Sequence, residues 1–315
     1  KALISVWDKE GLLELAEFLI KNEIEIVSTG GTANHLVKNG IPVTKISKIT
    51  GMDSVMDGRV MGEVHVSASK VLGHNVVDVV VDRSAKLNAL DTPLIADIAK
   101  SFRDLAQDDG VRAVVLSGAG KAWVVGADIE EMVVLDRHTA VTFISHLHNA
   151  MLSIRDLPVP VIAKVHGFAL GGGMELASAC DLRIASDDAR FGMPEVHVGL
   201  PSVIEASLLP GLMGAGRAGR LMLTGEVIDA KRAFEWGFVE EVVAPDGLDN
   251  AVNAVLKSIC RAGPLAVRQQ KRLLRQWEGL TRDAASEASV ADFARAFHGD
   301  EPTTLLSAFS RDKND

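Results

Sequence analysis

Gly171-Gly172-Gly173 runs straight into Met174-Glu175-Leu176-Ala177, a helix-compatible stretch. Three adjacent glycines cost backbone entropy, so the chain must need them there. Two uses fit. The backbone can approach a ligand closely and turn the free N–H groups of a helix start toward a developing oxyanion, or the helix can pack tightly on a strand. A second turn, Val125-Gly126-Ala127-Asp128, precedes Ile129-Glu130-Glu131-Met132. Asp128 suits the N-cap of that short helix, and Ala127 can contribute only its N–H. Two N–H groups from separate loops are the minimum for holding a carbonyl oxygen as it gains charge. Glu175 lies just inside the glycine-led helix, and Glu195 lies in Phe191-Gly192-Met193-Pro194-Glu195. Both have apolar neighbours. Burial there raises a carboxyl pKa toward the range useful for acid–base work, and a solvated surface charge is the alternative. Glu205 adds a third acid nearby, with surface exposure as its alternative. His166 reads as a hydrogen-bonded core histidine, and His197 as either a pocket residue or an outward-facing one. No Cys/His/Asp cluster offers a metal site.

These groups must be carried by a frame. From Val64 onward the pattern is α/β, with strand-like runs at 64–67, 76–81, 111–117, 159–165, 182–185 and 238–243. Helical stretches fall at 93–106, 140–154 and 176–179, and the later chain is mostly helical, at 230–236, 250–261, 265–277, 282–297 and 303–310. The first 60 residues differ. Apolar runs at 2–6, 25–28 and 43–49 alternate with helical stretches at 11–21 and 33–38, a βαβαβ pattern that predicts a small parallel sheet. The first of these helices has an apolar face of Leu12, Leu15, Ala16, Leu19 and Ile20. Thr29-Gly30-Gly31-Thr32 sits between a strand and a helix start, where it can aim N–H groups at an anion or serve as a plain glycine turn with a Thr cap. The seam puts one segment at 1–60 and a larger domain at 61–315, and Met61 can itself be the initiator methionine of that larger domain.

The chain has 315 residues, and 33 basic against 42 acidic side chains give a net charge of −9. With 47% hydrophobic and 24% charged residues it is globular in composition, not disordered. The acidic balance argues against a nucleic-acid binder, which needs a basic footprint. No apolar run is long and uncharged enough to cross a bilayer. Two cysteines, Cys180 and Cys260, cannot build a disulfide framework or a zinc cage. No signal pattern opens the chain, so a cytoplasmic, reducing compartment is expected.

Two resemblances add to this reading. ALISVWDKEGLLELAEFL, VSTGGTANHL, GIPVTKIS and TGMDSVMDGRV resemble the start of the methylglyoxal-synthase-like domain of bifunctional purine-synthesis enzymes, which pair an inosine-monophosphate cyclohydrolase with a formyltransferase. The resemblance implies that Lys9, Ser28, Thr29, Gly30, Gly31 and Thr32 line a phosphate pocket. The family's domain is more than twice as long, whereas here Met61-Gly62-Glu63 comes next, so this is a partial domain and no purine-nucleotide binding is expected of it.

DRSAKLNAL, KAWVVGADIEEM, LPVPVIAKVHGFALGGGMELASACDLRIAS, ARFGMPEVHVGLP and LTGEVIDAKRAFEWGFVEEVV are similar, in order and spacing, to the crotonase superfamily, known chiefly for enoyl-CoA hydratases and isomerases. The resemblance implies a ββα superhelix with a helical C-terminal region. It implies that the N–H groups of Ala127 and Gly172 hold a thioester oxygen. Glu175 and Glu195 then add water across an enoyl-CoA double bond, Glu175 activating the water and Glu195 delivering a proton to C2. Coenzyme A, present only as part of the substrate, is expected along residues 86–90, with backbone groups of Ala89 and Leu90 at the adenine. Lys86 either approaches a phosphate or stays solvated. Val125, Asp128 and Gly171 join the lining. Phe293 covers the nucleotide from a neighbouring subunit or forms a packing stripe with Phe297. The family's assemblies imply a homo-trimer or homo-hexamer with no tightly bound cofactor. Ser84 replaces the usual proline after the arginine, and Gly199-Leu200-Pro201-Ser202-Val203-Ile204-Glu205-Ala206 lacks the usual glycines. Isomerisation, thioester hydrolysis and dehydration are the alternative reactions on the same fold.

Overall fold

Strand pairing divides the chain after residue 61. The computed structural model describes residues 1–4, 9, 11–28, 30–45 and 62–311, in two units, Lys1–Met61 and Gly62–Asp315. In the first unit β1 (Ala2–Ile4), α1 (Leu12–Lys21), β2 (Ile26–Ser28), α2 (Gly30–Lys38) and β3 (Thr44–Lys45) succeed one another. The strands form a sheet in the order β1-β2-β3, parallel throughout, so the helices serve as crossovers. The core is small: Ile4, Leu12, Ala16, Ile26, Leu36 and Ile41. The apolar face expected of α1 is split. Leu12 and Ala16 are buried, whereas Leu15 and Ile20 are exposed, because a three-stranded sheet covers only part of so broad a face. Residues 46–49 of the third expected strand lie outside the described residues.

The second unit runs β4 (Glu63–Val71), β5 (His74–Asp82), α3 (Thr92–Leu105), β6 (Val111–Gly118), α4 (Ile129–Met132), α5 (Arg137–Arg155), β7 (Val161–Val165), β8 (Phe168–Leu170), α6 (Gly172–Ala179), β9 (Leu182–Ser186) and β10 (Arg190–Gly192). It continues through α7 (Leu209–Met213), α8 (Ala215–Thr224), β11 (Val227–Asp229), α9 (Ala230–Glu235), β12 (Glu241–Val243) and four helices, α10 (Leu248–Arg261), α11 (Pro264–Trp277), α12 (Arg282–Ala296) and α13 (Glu301–Arg311). A six-stranded sheet has the order β12-β9-β7-β6-β5-β4. Only β4 and β5 pair antiparallel in it, through a tight turn in which Leu72 and Gly73 both have positive φ. The remaining pairs are parallel, and the central strands β6, β7 and β9 are buried on both faces. Along β6, Val114 and Leu116 face a core shared with α3 and α5, while Ala113 and Val115 face α10 through Leu248, Val252 and Leu256.

A second sheet, β11-β10-β8, stands apart from the first. Its strands have three residues each and escape a periodicity reading, as do α7 and α8, which Pro210, Gly211 and Gly214 interrupt. The strand expected over 238–243 shrinks to β12. Phe238 instead plugs the core edge-on to Phe191, with ring centroids 5.3 Å apart. The glycine-led helix also begins earlier than its apolar run suggests: Gly172 and Gly173 are already helical.

Candidate active site

The second sheet delivers the glycines. β8 ends at Leu170, whose N–H donates to Val124 O, and Gly171 N–H donates to Gly192 O on β10. Two of the three glycines must be glycine, each for its own reason. Gly171 caps α6 at φ 51, ψ −124, and a Cβ there would meet Glu195 Oε1 at 2.5 Å. A Cβ on Gly173 would lie 1.9 Å from Val124 O, so the helix packs directly on backbone. Gly172 has ordinary room, with Leu147 Cδ2 at 3.5 Å from the Cβ position and Ala127 N at 3.7 Å. Tight helix packing thus accounts for Gly173, whereas Gly171 is required by its backbone conformation and by the Glu195 carboxylate.

The facing turn is fixed from beneath. Leu90 N–H donates to Gly126 O, and Asp128 N–H donates to Leu90 O. That bridge leaves the N–H of Ala127 outside its ladder. Among the described residues neither Ala127 N–H nor Gly172 N–H has a hydrogen-bond partner. Val125 lies between this bridge and the one joining Val124 to Ala169. The Asp128 carboxylate, expected in the lining, is turned inward instead. It accepts from Glu130 N–H and pairs with buried Arg83 at 2.5 Å. Burial pushes its pKa up, but Arg83, the Glu130 N–H and Lys86 outweigh burial and hold it below the usual carboxylate range. Arg83 also reaches Asp91 and donates to Ala89 O. Asn88, in a left-handed conformation, donates to the carbonyls of Ala119, Ala122 and Trp123, so the 86–90 turn is pinned to the Val125 loop. Lys86 is paired with Glu130 at 2.5 Å.

Glu175 is 3% exposed in the first turn of α6. Burial pushes its pKa up, the neighbouring Glu195 and Glu205 carboxylates push the same way, and the result is about 8 against donation from the Ala206 and Val203 N–H groups. At neutral pH it therefore carries a proton. Glu195, in a short 3-10 turn (Pro194–Val198), rests its carboxylate against Gly171 and accepts from Ser202 Oγ at 2.9 Å. The structure brings together Glu175, Glu195, Gly171, Gly172, Ala127 and Leu90. It does not bring in Phe293, which is exposed on α12 and stacked edge-on with Phe297. His197 faces away and meets Thr224 O at 2.8 Å. His166 is half-buried rather than a core residue and meets Gly120 O at 3.0 Å. Glu205 is buried, not surface-exposed, and its partner His148 was not singled out by sequence. A separate cavity of about 560 Å³ lies beyond the opposite end of β7, beside Leu157 and Pro158. Its cations are paired within the fold, Arg155 with Glu278 and Lys271 with Asp181.

In the first unit, Ser28 Oγ donates to Ile4 O, and Lys9 Nζ donates to Thr32 Oγ1 at 3.0 Å. Gly30 and Gly31 open α2, and Thr29 lies outside the described residues. Among the described residues no three His, Cys, Asp or Glu side chains gather as a cation site, and no helix is long and apolar enough to cross a membrane.

Residues 72–312 match the enoyl-CoA hydratase/isomerase family, and residues 11–114 match the MGS-like domain. The two matches overlap over 72–114, which hold β5, α3 and the first half of β6. A short-chain-enoyl-CoA hydratase of Clostridium acetobutylicum is 35% identical over 74% of this chain and 90% of its own length. A crotonyl-CoA hydratase of Syntrophomonas wolfei is 35% identical over 73% and 89%. The crystal structure of an enoyl-CoA hydratase from Mycobacterium smegmatis superposes with a TM-score of 0.76 at 31% identity, covering 79% of this chain and 96% of that one.

Proposed function

The chain belongs to the enoyl-CoA hydratase/isomerase family, and from that premise we propose that it is a hydro-lyase adding water across the 2,3 double bond of an enoyl-CoA thioester. The observation that carries this reading is a buried Glu175 carboxyl that feels the Glu195 carboxylate, with Glu195 resting against Gly171 and two unengaged N–H groups on Ala127 and Gly172. The thioester oxygen lies between the N–H groups of Ala127 and Gly172. Water adds its oxygen to C3, its proton passes to one carboxyl, and the other carboxyl gives a proton to C2. Charge builds on the thioester oxygen meanwhile, and each donor there is worth about 100-fold or more in rate.

The proton inventory favours a division of labour opposite to the one inferred from sequence. Glu175 holds a proton in the free site, so it is the donor to C2, and Glu195 takes the proton from water. Coenzyme A runs along the 86–90 turn, where Leu90 and Ala89 offer backbone groups and Lys86 exchanges Glu130 for a phosphate. The 1–60 segment remains a partial methylglyoxal-synthase-like domain, ahead of the lyase at 61–315. Phe293, Phe297, Leu306 and Phe309 leave an apolar face exposed on α12 and α13, which supports a homo-trimer or homo-hexamer in which another copy covers it.

The test is hydration of crotonyl-CoA in oxygen-labelled water. Label at C3 of the product identifies hydration, whereas isomerisation leaves the product unlabelled and thioester hydrolysis labels the carboxyl. Wild-type turnover in both Glu175→Gln and Glu195→Gln would dismiss the two-carboxyl mechanism.

A further inference from the structure

Glu205 is 4% exposed in a short 3-10 turn, Ile204–Leu208. A carboxylate is seldom buried unless it is paired. Its partner comes from α5: His148 Nδ1 lies 3.0 Å from Oε1 and 3.1 Å from Oε2. The His148 side chain is 41% exposed, so the pair reaches from solvent to the interior. The same stretch of chain grips Glu175, through the N–H groups of Val203 and Ala206. Between them stands Ile204 at φ 41, a left-handed conformation that strains a β-branched residue. The strain sits where the chain must present two N–H groups and one carboxylate to α6 within four residues.

We infer that Glu205, anchored by His148, is a positioning residue that acts through Glu175 and decides which of the two reacting carboxyls carries the proton. Three acids crowd this corner: Glu175 from α6, Glu195 from the Pro194–Val198 turn and Glu205 from the Ile204–Leu208 turn. His148 faces Glu205 from α5, and α7, which packs on the same turn, has no titratable side chain. The Glu205 carboxylate, held in place by His148, stands near Glu175 and makes its proton harder to remove.

The inference rests on the hydratase reading for its kinetic consequence, but its spectroscopic test does not. The protonated-carboxyl infrared band of Glu175 is assigned by its loss in Glu175→Gln, then titrated in wild type, Glu205→Gln, Glu205→Asp and His148→Gln. In Glu205→Gln the band disappears at a pH lower by about one unit, and the alkaline limb of kcat/KM for crotonyl-CoA moves with it; Glu205→Asp restores most of the shift. His148→Gln removes the imidazole that anchors Glu205, so the band moves from its wild-type pH. Superimposable titrations of wild type and Glu205→Gln would overturn the inference. If Glu205→Gln does not fold, an unmoved band in His148→Gln does so instead. A shifted band in a protein that hydrates no enoyl thioester would sink the hydratase reading and leave this one standing.

Discussion

Two helices in this chain start on glycines just after a short strand, and their surroundings differ. At α2, Gly30 and Gly31 come after β2; at α6, Gly172 comes after β8 and Gly171. The local sequence physics is the same, a flexible strand end feeding a row of unpaired N–H groups. Around α6 stand three buried or half-buried carboxyls, a second loop with a free N–H and a carbonyl that forbids any side chain at Gly173. Around α2 the polar groups are spent on the fold itself, Ser28 on Ile4 O and Lys9 on Thr32. A glycine-led helix start is thus a backbone device. What packs against it decides whether it becomes a site.

The sharpest break of that comparison is at Gly172, the first residue of α6. Proline is tolerated at this helix position and removes only the N–H. Gly172→Pro should fold and lose about 100-fold or more in kcat for crotonyl-CoA, whereas Gly172→Ala, with ordinary room for its methyl, should keep most activity. Loss of about 100- to 10,000-fold is expected of Glu175→Gln and Glu195→Gln, the scale of one acid–base group. A Gly172→Pro enzyme with undiminished turnover would show that the α6 N–H does no more chemistry than that of α2.

Gly173 sharpens the packing half of the contrast. An added methyl would sit 1.9 Å from Val124 O, a rigid backbone atom. Gly173→Ala should destabilise the second unit by about 3 kcal/mol or more, read from denaturant midpoints. Equal midpoints for Gly172→Ala and Gly173→Ala would contradict the assigned roles.

The carboxyl at α6 also predicts a pH signature. Its folded pKa, about 8, is raised above the ordinary 4.5. Its contribution to stability is complete below pH 4.5 and is lost as pH rises through about 8. Glu175→Gln, which cannot ionise, should therefore gain a few degrees in Tm over wild type above pH 8 and show no such gain at about pH 5. Activity tracks the same group. As the proton donor, Glu175 makes kcat/KM fall as pH rises through about 8; were it the base, kcat/KM would fall as pH drops below that value.

Much of this contrast is legible in sequence, and the missing part has a common cause. Glu175 beside three glycines and Glu195 amid Phe191 and Met193 combine a charge with an apolar setting, which local reading detects. The frame of long parallel strands is visible for the same reason, since runs such as β6 are apolar throughout. The Glu205–His148 pair spans 57 residues and depends on α5 meeting a 3-10 turn. β8, β10 and β11 are too short to show a period, yet they aim the glycines. The inward turn of Asp128 was equally hidden, because its partner Arg83 lies 45 residues away. Local pattern reports what a residue prefers, and the fold decides what it meets.

The smallest expected effect lies in the first unit. Lys9→Ala removes the ammonium group that reaches Thr32, and with it the cation a phosphate would need at this helix start. If the surroundings make the site, the substitution should leave kcat/KM for crotonyl-CoA within about twofold, and calorimetry with inosine monophosphate should show no heat of binding on either protein. The reasoning is one of supply. The Ser28 hydroxyl is buried and committed to Ile4 O, so the pocket implied by resemblance has already spent one of its donors inside the fold. A saturable heat in the full chain that disappears in Lys9→Ala would reverse the comparison, because two glycine-led helix starts would then both hold anions, one a thioester enolate and the other a phosphate.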